Sequence, residues 1–205
     1  MSAFWLAPAP LVLASGSSAR RALLSAAAIP FEVIKPTLDE APIAQKLINE
    51  GTAPAMIAAA LALAKGREVS RAHPERLVLA ADQTLDFKGQ LGMKAPTLQA
   101  ARQQLQALAG QSHQLHSAAV LMLGGRPLWQ GTASATLMMR PFSAEFLSRY
   151  LALMGDKALA TVGCYELEAL GPHLFSRVEG EHATILGLPL ASVLEALRAN
   201  GALLS

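Results

Sequence analysis

The sequence predicts an α/β fold containing both parallel and antiparallel strand pairs. Apolar strand-like segments alternate with helical patterns through the first half, and two long β segments face each other across the turn-forming GGRP. The length, 205 residues, fits one domain or two small lobes and suffices for a substantial core without a disulfide scaffold.

The elements follow in order. PLVLAS (10–15) reads as a buried strand, 18–28 as a helix and FEVIKP (31–36) as a second strand. The segment 36–54, punctuated by Pro36, Pro42, Gly51 and Pro54, is the best candidate for a linker. Residues 53–72 have the alanine and leucine content of a helix, ended by His73-Pro74. RLVLAADQTLDF (76–87) is a strand that turns polar toward its end, followed by the turn KGQ. An amphipathic helix spans 97–110, with Thr97 as N-cap and Gly110 as its stop. Segments 113–123 and 128–140 form a hairpin, and Ser143 caps a helix running to Met154. The stretch 161–169 alternates like a strand, and a last helix begins near Pro189 and runs to Arg198.

Composition excludes several classes. One cysteine, Cys164, forms no intramolecular bridge and fits a reducing compartment, so the expected location is cytoplasmic. Hydrophobic residues reach 52% and mean hydropathy is +0.33, but the longest apolar run, 53–64, is shorter than the roughly 20 residues a bilayer requires. The N-terminal MSAFWLAPAPLVLAS lacks the basic residues that precede a secretory apolar segment. Seventeen basic against fifteen acidic side chains, and 5% aromatics, disfavour a nucleic-acid-coating surface. Neither nucleic acid nor membrane is expected as a partner.

The chemistry-bearing residues gather in short stretches. LASGSSARRALL (13–24) runs a strand end into small residues and then into Arg20 and Arg21. Backbone N–H groups at such a loop can approach an anion, and guanidinium forks match phosphate oxygens. Alone, the pattern reads first as a helix start with two solvated arginines, and its spacing is not that of a Walker A loop. Asp82, at the end of an apolar strand, suits an active site or a plain turn. Lys65 and Lys94 are lone cations that, taken singly, read as solvated. Asp39 and Glu40 suit Mg²⁺ or simple exposure. His113 and His116, three apart on a strand, point to opposite faces and make a poor metal pair. Cys164 and Trp129 read as packing residues.

The order of these pieces resembles the Maf family of nucleoside triphosphate pyrophosphatases. LASGSSARRALL is similar to the family's opening signature, and LDE (38–40), LALAKG (61–66), AADQT (80–84), MKAP (93–96), LHS (115–117), GCYELEALG (163–171) and VEGEHATILGLPL (178–190) follow collinearly. The resemblance covers about 11–200 and implies a single Maf-like unit over 1–205, with a mixed, bent sheet flanked by helices around a central cleft between two lobes, an ITPase-like arrangement. It implies hydrolysis between the α and β phosphates, giving a nucleoside monophosphate and pyrophosphate with a divalent cation, Mg or Mn. Residue by residue, Ser15, Gly16, Ser17, Arg20 and Arg21 match the triphosphate loop, and Lys65 and Lys94 match phosphate-contacting lysines. Asp82 matches the catalytic base or metal partner, Glu40 a carboxylate near the metal, and Glu168 a cleft-lining position.

Ala19 before the arginine pair, the dipeptide Asp82-Gln83, and Glu168 resemble the branch that prefers 7-methyl-GTP; the alternative branch takes dTTP and UTP. A buried Glu168 would favour the donor edge of guanine. The chain departs from the family wording at Ser18, Ala95 and Ala169, and a side chain at 169 is expected to narrow the base pocket. The family also suggests a homodimer, and its link to septum formation supplies a different class of function, a nucleotide-binding regulatory module. The joint presence of Asp82, Lys94 and Glu40 favours the enzyme.

Overall fold

The computed structural model describes residues 3–205. Met1 and Ser2, at the head of the predicted 1–205 unit, lie outside the described residues. The chain runs β1 (Leu11–Ala14), α1 (Ser18–Ala26), β2 (Phe31–Val33), α2 (Ala41–Asn49), α3 (Pro54–Ala72), β3 (Val78–Phe87), β4 (Gln90–Gly92) and α4 (Leu98–Leu108). It continues through β5 (Ser112–Leu123), β6 (Arg126–Met139), α5 (Ala144–Met154), α6 (Lys157–Ala160), a 3-10 turn (Gly171–Leu174), β7 (Phe175–Glu179), α7 (His182–Ile185) and α8 (Leu190–Ala199).

The seven strands form one sheet in the order β2-β1-β3-β5-β6-β7, with β4 paired to β3. β1 pairs in parallel with β2 and β3, while every other pairing is antiparallel, so the sheet is mixed as the sequence predicts. The two predicted N-caps form, and a third joins them: the hydroxyls of Thr97, Ser143 and Ser17 accept from the backbone N–H groups of Ala100, Phe146 and Arg20 at 3.1, 3.1 and 3.3 Å. The β5–β6 hairpin turns on Gly124 and Gly125 alone, at φ 56° and 75°, while Arg126 and Pro127 already belong to β6. Two consecutive positive φ angles match the right-handed strand twist and select glycine at both places.

The alternation of β3 and β5 decides where a cleft can open. On one face, Val78 and Ala80 of β3 and Ala118, Val120 and Met122 of β5 pack under α3, with Val12 and Ala14 of β1. α3 lies close enough that a Cβ at Gly66 would sit 2.6 Å from Met122 Sδ. On the other face two separate clusters form. Leu79, Ala81, Ala119 and Leu121 pack with Leu24 of α1 and Val193, Ala196 and Leu197 of α8, whereas Leu85 and Leu115 pack with α4 and α5 through Leu105, Leu147 and Leu151. Between them the same strand faces carry Gln83 and Ser117, which are register partners. A polar pair thus divides two apolar cores, and the cleft expected between two lobes lies at that division.

Two expectations are corrected. The segment read as a linker contains α2, whose Pro42 stands in the first helical turn, where proline lacks no needed N–H. The stretch 161–169 is a series of turns, because Cys164 takes φ 59° and the Glu166 carbonyl accepts from Ala169 and Gly171 N–H at 3.2 and 2.8 Å. The strand of this region is instead β7, mostly exposed at the sheet edge.

Candidate active site

The end of β1, the middle of β3, the start of α1, the Ile57–Lys65 stretch of α3, the Leu91–Lys94 strap and the turns around 161–168 and 185–187 enclose a cleft of about 800 Å³. Asp82, expected at a strand end, stands instead in mid-strand, because β3 continues to Phe87. Ser15, Gly16, Ser17, Arg20, Glu40, Lys65, Asp82, Lys94 and Glu168 all line it. Positions scattered over most of the chain are thereby brought together.

At its centre Lys65 Nζ lies 2.6 Å from Asp82 Oδ1 and 2.8 Å from Glu40 Oε2. Lys65 and Asp82 are each 8% exposed. Removing an ion from water costs several kcal/mol even after relaxation, so a lysine this deep in an alanine-rich helix requires partners. Burial pushes the Asp82 carboxyl above its ordinary range. Lys65 and Arg20 pull against that push, and Glu40 adds to it. A carboxylate made more basic by burial is better suited to accepting a proton.

Arg20, on the first turn of α1, is equally buried. Its Nε donates to the Gly187 carbonyl at 2.8 Å, and Nη1 donates to Ser15 Oγ at 3.1 Å and to the Ala81 carbonyl at 2.9 Å. Three of its five N–H donors are thus fixed by protein, and Nη2 has no partner among the described residues. Burial lowers the guanidinium pKa, while Asp82 and Glu40 oppose the shift. Ser15 Oγ also accepts from the Ser17 N–H at 3.2 Å, which shapes the loop before the helix.

The structure separates some predicted residues from this centre. Arg21 is exposed and outside the cleft lining, because adjacent helical positions point about 100° apart. Glu168 lines the cleft but is exposed, which corrects the expectation of a buried carboxylate: the hydrogen-bonded 166–171 turn carries it to the rim. Ala169 is exposed and outside the lining, so its methyl narrows no pocket. Lys94 is exposed on the strap between β4 and α4.

His113 and His116 do not meet. His113 Nε2 pairs with the Tyr165 hydroxyl at 2.7 Å, and burial lowers its pKa to about 4, which keeps the ring neutral. His116 Nδ1 pairs with Ser134 Oγ at 2.7 Å. Cys164 is buried and free, its thiol pushed up to about 11 by burial.

Sequence reasoning missed the support of this centre. Glu68, one turn beyond Lys65 on α3, accepts from the Thr37 N–H at 3.0 Å, from the Thr37 hydroxyl and from the Leu38 N–H at 3.1 Å. These bonds tether the segment that carries Glu40 toward Lys65. Glu68→Ala is expected to lower kcat/KM about three- to tenfold, as loss of charge-assisted hydrogen bonds does, with faster proteolysis at 36–40; unchanged kinetics would show that the tether is dispensable. Gln83 and Ser117 stand within stretches quoted for the family resemblance, yet only the fold shows what they hold.

Among the described residues no three His, Cys, Asp or Glu side chains gather into a metal cage. Glu40 and Asp82, converging on one cation, offer a pair of oxygen donors instead. No helix of the described residues is long and apolar enough to cross a membrane.

Residues 10–200 match the family model described as Maf-like protein. The chain is 48% identical over 194 residues to a nucleoside triphosphate pyrophosphatase of Caulobacter vibrioides, covering 95% of this chain and 97% of the relative. It is 47% identical over 196 residues to a nucleoside triphosphate pyrophosphatase of Rhodopseudomonas palustris, covering 96% of each. It is also 42% identical over 193 residues to a 7-methyl-GTP pyrophosphatase of Mesorhizobium japonicum, covering 94% of this chain and 97% of the relative.

Proposed function

The chain belongs to the Maf-like protein family, and from that membership and its cleft we propose that it is a nucleoside triphosphate pyrophosphatase, a hydrolase of acid anhydrides that releases a nucleoside monophosphate and pyrophosphate. The observation that carries the site assignment is the buried Lys65 held between Asp82 and Glu40 beside Arg20. Phosphoryl transfer needs positioned cations and one base far more than covalent help.

Arg20, through Nη2, Lys94 on the strap and the backbone of the Ser15–Ser17 loop bind the triphosphate. Asp82 orients water and takes its proton as the water oxygen bonds to the α phosphorus. The bond from that phosphorus to the α–β bridging oxygen breaks, and pyrophosphate leaves. Glu40 and Asp82 would hold a divalent ion such as Mg²⁺ or Mn²⁺, for which one or two carboxylates suffice. When bound, the ion supplies charge neutralisation at the phosphates.

The preferred base is proposed to be 7-methylguanine. Asp82-Gln83 and Glu168 support it, with Glu168 acting from the rim rather than from a buried site, and a 7-methyl-GTP pyrophosphatase stands among the relatives. Pyrophosphate release from 7-methyl-GTP, GTP, dTTP, UTP and CTP is expected to be fastest with 7-methyl-GTP. Glu168→Ala is expected to narrow that preference about three- to tenfold while leaving dTTP turnover nearly unchanged, as befits a solvent-exposed contact. Fastest turnover of dTTP or UTP would discard the base assignment and keep the reaction. Nucleotide binding without turnover of any substrate would favour a regulatory module. A cytoplasmic location belongs to the same reading, supported by the free Cys164.

A further inference from the structure

Gln83 follows Asp82 in β3 but faces the opposite side of the sheet. Its amide Nε2 lies 3.1 Å from Ser117 Oγ, 3.1 Å from the Thr184 carbonyl and 2.9 Å from the Ile185 carbonyl. The orientation of the amide is fixed by these neighbours. Two are carbonyl oxygens, and the Ser117 hydroxyl spends its proton on the Thr184 carbonyl at 2.7 Å, leaving a lone pair toward Gln83. Only the nitrogen end can face them.

The carbonyls so held begin a tight turn. Gly187 N–H donates to the Thr184 carbonyl at 3.1 Å, and Gly187 takes φ 96°, a conformation that favours glycine. The Gly187 carbonyl is the acceptor that Arg20 Nε grips at 2.8 Å. An unbroken chain of hydrogen bonds and one turn thus connects the Gln83 amide to the guanidinium. On the far side, the Thr184 hydroxyl donates to Glu181 Oε2 at 3.1 Å, and the Ala191 N–H donates to Glu181 Oε1 at 3.2 Å, so α8 holds the other end.

We propose that Gln83 is the positioning residue for Arg20, acting by clamping the Thr184–Gly187 turn to the sheet so that Arg20 Nη2 stays aimed into the cleft. The ligand consequence rests on the pyrophosphatase reading, because Arg20 is there the triphosphate donor. A loosened turn lets the Gly187 carbonyl move, and the guanidinium then loses one of its three fixed contacts. Affinity for the polyphosphate falls before any contact with the base changes.

The test joins a ligand-free readout to a binding cycle. Gln83→Met keeps a side chain of similar length without N–H donors, and Ser117→Ala removes a second donor from the Thr184 carbonyl. Exchange of the Arg20 Nε–H proton, followed by nitrogen-15 NMR and assigned by its absence in Arg20→Lys, is expected to quicken about tenfold in Gln83→Met, the effect of losing roughly one charge-linked hydrogen bond. Ser117→Ala should move it the same way by less, and decides the matter should Gln83→Met not fold. Binding of inorganic tripolyphosphate, measured calorimetrically without divalent ions, is expected to weaken about tenfold in Gln83→Met but less than about twofold when Arg20 is already lysine.

Unchanged Arg20 exchange, or equal losses in both backgrounds, overturns the proposal. A wild-type chain with a protected Arg20 Nε–H that ignores both tripolyphosphate and nucleoside triphosphates would overturn the pyrophosphatase reading instead. The exchange comparison would still decide the part played by Gln83.

Discussion

Asp82→Asn is expected to lower kcat by about 10²–10⁴-fold, the range that a positioned general base contributes, while nucleotide still binds. Binding survives because Arg20, Lys94 and the Ser15–Ser17 loop keep their places, and Lys65 keeps Glu40 at 2.8 Å. The pH profile supplies the sharper signature. Burial raises the Asp82 pKa, and a protonated carboxyl cannot accept a proton from water, so wild-type kcat should fall on acidification at a pH above the usual carboxylate range. Residual activity of the asparagine variant should lack that limb.

The same shift has a consequence for folding. A carboxyl whose pKa is raised in the folded state stabilises the fold below its unfolded value, and that contribution is lost as pH rises through the folded value. At neutral pH the ionised side chain is therefore a cost to the unliganded fold, and the neutral amide removes it while forfeiting the ion pair to Lys65. These effects oppose each other, so the melting temperature should change little. Pyrophosphate release across pH, with nucleotide binding measured in parallel, checks all of this. Asparagine activity within about threefold of wild type would remove Asp82 from the base's role.

Much of the scaffold was legible because its signals are local. Thr97 and Ser143 announce their helices by capping chemistry, and the diglycine of the hairpin admits few other conformations. Segment 161–169 misled because Gly163, Cys164 and Tyr165 are buried for a reason other than a pleat. The Tyr165 ring folds back over Gly163, where a Cβ would lie 2.2 Å from it, and this buries three consecutive residues without a strand. β7 escaped notice for the converse reason, since an exposed edge strand carries little apolar pattern.

Family resemblance pointed to Asp82, Lys65 and Arg20, which the fold gathers in one cleft. Their pairings were not legible, because Lys65 meets Asp82 and Glu40 across separate elements and no spacing rule links them. Glu168 shows the opposite error: its identity was read, but a turn carries it to solvent. Gln83 was read only as a mark of the family branch; its hydrogen bonds, made at the wall of the cleft, run to the turn that holds Arg20.

Lys65→Met is expected to damage both fold and catalysis, and the two losses share a cause. Methionine keeps most of the apolar stem against α3's neighbours and deletes the ammonium, leaving Asp82 and Glu40 facing each other without the cation between them. Breaking a fully buried pair costs about 3–5 kcal/mol. Here the Glu40 side chain is 44% exposed and water screens part of the repulsion, so a loss of about 2–3 kcal/mol, or roughly 5–10 °C in melting temperature for a chain of this size, is the appropriate expectation. The Asp82 pKa should climb further, since the largest opposing influence on it disappears while burial and Glu40 remain. The acid limb of kcat should therefore move toward neutrality, with kcat/KM down about 10²-fold as the cation that holds Asp82 and Glu40 in place is lost. Adding Asp82→Asn to Lys65→Met should restore part of the lost stability, because the repulsion needs both carboxylates charged. A methionine variant with wild-type melting temperature and an unmoved acid limb would reduce Lys65 to a packing stem and take the electrostatic centre out of the cleft.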